Sequence, residues 1–120
     1  RDRPDPDRVG KLFEELDEEG VPIDEERVGL LLQRALERVA SEVGEHPREL
    51  EPLQRLARLA ALREEGPGTV RLWLVQNRIF EVLTEVHPGQ RERAAAGEAD
   101  AKRWVELFRT VCRRVSLAFR

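Results

Sequence analysis

Asp24-Glu25-Glu26-Arg27-Val28-Gly29-Leu30-Leu31-Leu32-Gln33-Arg34-Ala35-Leu36-Glu37-Arg38-Val39-Ala40-Ser41-Glu42-Val43-Gly44 reads as one amphipathic helix. Val28, Leu31, Leu32, Ala35, Leu36, Val39 and Val43 recur at steps of three and four, which at 3.6 residues per turn gathers them on one face. Asp24 is suited to cap the helix, because its carboxylate can accept from an unpaired N–H of the first turn, and Gly44 is suited to stop it. No stretch of the chain shows the period-two alternation or β-branched enrichment of a strand. The spacing therefore predicts an all-α fold.

Upstream, Asp5-Pro6 opens a short helix with a capping acid and a proline at its first position; Val9, Leu12, Phe13 and Leu16 form its stripe and Gly20 stops it. Downstream, Pro47 begins a third helix that turns Leu50, Leu53, Leu56, Ala57 and Ala60 inward, with Leu59 and Leu62 as further candidates. Pro52 falls early enough to be tolerated or to delay the start. Gly66-Pro67-Gly68 ends that helix, Thr69 is placed to cap a fourth, and His87-Pro88-Gly89 terminates the fourth. Gln90 to Gly97 reads as a polar connection. A fifth helix from about Glu98 to the end carries Trp104, Val105, Phe108, Val111, Cys112 and Val115 on one side. Short loops between helices predict a compact bundle of about five helices. Its 120 residues fit a single domain, read here as a fragment or C-terminal region of a larger protein.

Charged residues make up 38% of the chain and the net charge is −3, which argues against nucleic acid as a partner because such binding needs a surplus of cations. No apolar run approaches the roughly 20 residues that span a bilayer, so no membrane partner is expected. Arg109, Arg113, Arg114 and Arg120 are the one basic cluster, and they read as a solvated face beside an apolar stripe. Cys112 is the sole cysteine and lies on that stripe, so no disulfide can form within the chain; a reducing, cytoplasmic location is expected.

The acids Glu14, Glu15, Asp17, Glu18, Glu19, Glu25 and Glu26 cluster at helix ends and face water by their spacing, without the apolar setting that a catalytic carboxyl requires. His46 reads as a helix-start residue and His87 as a helix-end residue whose protonated form the dipole would favour. Neither belongs to a metal-spaced set, no phosphate-binding loop occurs, and no metal or cofactor is expected. By itself the chain is not expected to be a catalyst.

Leu72-Trp73-Leu74-Val75-Gln76-Asn77-Arg78-Ile79-Phe80 supplies the candidate site. Trp73, Gln76, Asn77 and Phe80 project within one arc of about 100°, while Leu72, Val75, Ile79, Leu83 and Val86 fill the neighbouring arc. Two readings remain open. The rings can be core with the amides bridging helices, since a buried amide left unpaired costs about 1–3 kcal/mol. Alternatively the flat rings and the amides, which both donate and accept, line a sugar or polyol site.

The order of features resembles the helical region of uncharacterised proteins related to glycoside hydrolase family 57. It is carried by Gly20-Val21-Pro22-Ile23-Asp24, the leucine-rich helix, Leu72-Trp73-x-x-Gln76-Asn77-x-x-Phe80 and Trp104-x-x-x-Phe108. In those proteins a catalytic (β/α) barrel comes first and a helical domain of unknown function follows. The resemblance implies a non-catalytic accessory region whose partner is the barrel of the same protein, with Trp73, Gln76 and Asn77 as candidate contacts to an α-glucan. No catalytic residue carries over, because the barrel is outside this sequence. The alternative is a free-standing helical module that binds another protein through an apolar groove.

Overall fold

The computed structural model describes residues 24–65 and 70–117, and over that span the protein is an all-α bundle of five helices. They are α1 (Glu25–Glu45), α2 (Leu50–Glu65), α3 (Trp73–Glu85), α4 (His87–Ala95) and α5 (Ala99–Arg114). The helix expected from Asp5, and Thr69 as a cap, lie outside the described residues. Among the described residues no helix is long and apolar enough to cross a membrane.

α1 begins as its sequence dictates: the Asp24 carboxylate accepts from the Arg27 N–H at 3.2 Å. Its inward face is Leu32, Leu36, Val39, Ala40 and Val43, whereas Leu31, expected on that face, is exposed. The apolar run at residues 30–32 is wider than the buried stripe, so only Leu32 of the three reaches the core. α2 starts at Leu50 rather than at Pro47 and buries Leu53, Leu56, Ala57, Leu59 and Ala60. Pro52 lies in its first turn, where no intrahelical N–H is lost.

The chain breaks after α3 differently from its expected course. His87-Pro88-Gly89 ends α3 but also starts α4, so Gln90 to Ala95, read as a connection, is helical. Proline at the head of a helix is preorganised rather than disruptive, and Val86 serves as the last cap of α3 and the first of α4. α4 ends at Ala95, and the chain leaves it through Gly97, whose φ of 99° is free of penalty without a Cβ; Gly97 N–H bonds the Ala94 carbonyl at 3.0 Å and Glu98 N–H that of Arg93 at 3.1 Å.

α5 also stops short of the chain end expected for it. After Arg114 the backbone turns left-handed at Ser116 (φ 61°), with Ser116 N–H on the Arg113 carbonyl at 3.1 Å and Leu117 N–H on the Cys112 carbonyl at 2.8 Å. This paired arrangement satisfies carbonyls that a helix end leaves open.

Long-range bonds fix the directions. α1 and α2 form an antiparallel hairpin, with Arg55 of α2 bonded to Glu42 of α1. Gln33 accepts from the Arg71 N–H at 2.9 Å, so α3 begins beside the first half of α1 and runs with it. Trp104 Nε1 donates to the Pro47 carbonyl at 2.7 Å and Arg63 to the Arg114 carbonyl at 3.0 Å, so α5 runs alongside α2. The centre is filled by Leu36, Val39, Leu53, Leu56, Leu59, Ile79, Trp104, Phe108 and Val111, all fully buried. Trp104 stacks on Phe108 with centroids 4.8 Å apart and planes 12° apart. Burying two such rings is among the largest single contributions available to a bundle of this size.

Candidate binding face

Helix α3 presents two unlike sides. Val75, Ile79 and Val82 are buried, as their spacing of four and three places them on one stripe. The opposite side carries Trp73 at 69% exposure and Phe80 at 56%, seven residues and hence about 10 Å apart along the axis, with exposed Asn77 between them. Of the two readings left open by the sequence, the one that puts these rings in the core does not hold for Trp73 and Phe80. The stripe of Val75, Ile79 and Val82 already fills the interior on this side, and Trp104 and Phe108 of α5 supply the aromatic volume instead.

The adjacent amides part company. Gln76 is half-buried, and its Nε2 donates to the Val115 carbonyl at 2.7 Å. It is a bridge that ties α3 to the end of α5, joining Arg63, which holds the Arg114 carbonyl from α2. Both are tertiary caps on orphan carbonyls, and the guanidinium charge also suits the negative end of the helix dipole. Asn77 is exposed, and among the described residues no hydrogen bond involves its side chain. Thr84 returns its hydroxyl to the Phe80 carbonyl at 2.9 Å and so offers no free donor along the same side. Of the three candidate contacts, Trp73 and Asn77 stand together on an open face with Phe80, and Gln76 faces inward.

Three further polar positions were not foreseen in these roles. Arg55 is buried among the apolar residues of α2; its Nε donates to Glu51 at 2.7 Å and its Nη2 to Glu42. Burial opposes its charge, but the hydrogen bonds and attraction of Glu42 and Glu51 outweigh that and raise its pKa. The sequence signal was Glu51 one turn before an arginine on the apolar side. His87, expected as a helix-end residue whose protonated form the dipole favours, is buried at the head of α4 beside Phe108 (5.4 Å between centroids) and Trp104 (6.2 Å). Burial, then repulsion from Arg91 and Arg109, lowers its pKa. Arg114, expected on a solvated face, donates to the Ala57 carbonyl at 2.8 Å and ties α5 to α2, whereas Arg109 and Arg113 are exposed. Arg120 lies outside the described residues.

Cys112 is buried, and loss of solvation pushes its thiol up to about 12, so at neutral pH it is a small core residue without nucleophilic character. Comparison with protein-family models, with curated proteins and with solved structures finds no match.

Proposed function

We propose that this chain is a non-catalytic helical binding module whose contact surface is the Trp73–Asn77–Phe80 side of α3. The observation that carries the reading is the exposure of two aromatic rings on a helix whose Val75, Ile79 and Val82 stripe is already buried. Leaving so much aromatic surface in water forfeits burial worth roughly 25 cal/mol per Å², a cost that a partner would recover. The resemblance to helical regions of proteins related to glycoside hydrolase family 57 gives that partner a chemistry. In this reading the module accompanies a carbohydrate-active enzyme, Trp73 stacks on a sugar ring of an α-glucan, and Asn77 supplies the accompanying hydrogen bonds.

The test is a titration with maltoheptaose followed by tryptophan emission, in which Trp73 is the accessible reporter and Trp104 the buried one. Saturable quenching that Trp73→Ala abolishes supports the reading; no response at millimolar sugar contradicts the glucan assignment.

A second reading is favoured by one observation. Because Gln76 is committed to Val115, the face offers a single amide beside two rings, fewer polar groups than a sugar ring normally engages. A surface rich in rings and poor in donors suits an apolar protein surface, such as the flank of a catalytic barrel. Loss of binding to the barrel domain on Phe80→Ser, without any glucan response, would select this reading.

A further inference from the structure

We infer that the cleft between the start of α2 and the junction of α4 with α5 binds a short peptide with both ends free, at a site to which α3 contributes no residue. One wall is the entry into α2, from Arg48 to Glu51; the other is made by Gln90 and Arg93 of α4 and by the head of α5 at Glu98, Asp100 and Ala101. Trp104 holds the walls together, donating from α5 to the Pro47 carbonyl one residue before Arg48. The cleft encloses about 470 Å³, within the range of roughly 300–1,000 Å³ that small-molecule sites occupy.

Gln90 carries the inference. It is 5% exposed, its backbone N–H is taken by the Val86 carbonyl, and among the described residues its side-chain amide makes no hydrogen bond. The polar side-chain atoms sealed from solvent without a partner are Arg55 Nη1 and Arg63 Nε, so the Gln90 amide is not sealed; it opens on the cleft it lines. A buried amide left unpaired is a cost that folding rarely carries, and a ligand offering both an acceptor and a donor removes it. The charges select that ligand. Glu51 is engaged by Arg55 Nε at 2.7 Å, and Glu49 lies 3.3 Å from His46 Nδ1. Arg48, Arg93, Glu98 and Asp100, by contrast, have no ion pair and no side-chain hydrogen bond among the described residues, and Glu98 does not bond the first turn of the helix it heads. Free charges of both signs in one cleft disfavour a simple anion or cation and favour a molecule that carries both. A carboxylate matches the paired donors of a guanidinium at Arg48 or Arg93, and an ammonium matches Glu98 and Asp100. The Gln90 amide both donates and accepts, which is what a peptide group requires and a single amino acid lacks.

The test is a titration of the isotope-labelled chain with triglycine, followed by NMR at the Gln90 side-chain amide and the Ala101 N–H. Saturable shifts at both are expected, and N-acetyl-triglycine, triglycinamide and glycine should each bind more weakly by about tenfold or more. Gln90→Leu keeps the buried volume and removes no internal bond, so it should weaken triglycine by about tenfold without lowering the melting temperature. Arg48→Ala changes an exposed side chain and decides the matter independently should the buried substitution disturb the fold. It should weaken triglycine and leave the already weaker triglycinamide unchanged. The inference is overturned by the absence of saturable shifts, by triglycinamide or glycine binding as well as triglycine, by inorganic phosphate producing the same shifts, or by undiminished binding in either variant.

Discussion

Gln76 and Asn77 are neighbours in sequence, and their side chains do unrelated things. Gln76 holds the Val115 carbonyl, so Gln76→Ala leaves an acceptor unpaired at the end of α5 and should cost about 1–3 kcal/mol in urea unfolding. Asn77→Ala removes an exposed group and should change stability by less than about 0.5 kcal/mol. His87 gives a pH-dependent counterpart. Its folded-state pKa lies below the ordinary value near 6.5, so the unfolded chain takes up the proton first. Stability contributed by the neutral ring is complete above about pH 6.5 and is lost as pH falls from there toward the lowered folded-state value. Thermal unfolding between pH 7.5 and 5.5 should show that loss in the native chain and a flatter profile in His87→Gln. An identical pH profile in the two proteins would refute the burial argument. At this scale the sequence was partly legible: it singled out both amides as needing partners, but the partner of Gln76 is a carbonyl 39 residues away, which no local pattern encodes.

Among the elements, the inward stripes of α1, α2 and α5 follow from spacing, because a period of 3.6 leaves few ways to bury Leu36, Val39, Leu56, Trp104 and Phe108 together. The misread stretches were those where punctuation was ambiguous. His87-Pro88-Gly89 carries the residues of a stop and equally those of a start, and only the bend at Val86 lets it be both. The end of α5 was missed because Ser116 does not announce a left-handed residue as glycine would. That position makes a prediction: Ser116→Gly relieves a side chain from the left-handed region and should stabilise the protein by about 0.5–1 kcal/mol, whereas β-branched Ser116→Val should destabilise it by at least 1 kcal/mol. Calorimetry of the two variants checks both signs. A melting temperature unchanged by either would show that the paired hydrogen bonds at this helix end do not hold the turn.

At the scale of the whole molecule, the described residues form a bundle that separates a packed interior from an exposed aromatic side on α3. The all-α class was readable because no alternation competes with the helical period, while the assignment of rings to inside or outside was not. Trp73 and Phe80 share an arc whose burial depends on which helices surround α3, and α5 presents Trp104 and Phe108 to the interior in their place. The buried thiol reports the integrity of that interior: Cys112 should resist iodoacetamide in the folded protein at pH 8 and react fully once unfolded. Rapid labelling of the native chain would mean that α5 does not stay packed. The central claim is that the Trp73 and Phe80 rings serve binding and not folding, and urea unfolding of the Trp73→Ser, Phe80→Ser double variant tests it most directly, with Trp104 as the reporter. The account predicts a stability within about 1 kcal/mol of the native chain, whereas a loss of more than about 3 kcal/mol, the cost of removing a core aromatic, would contradict it.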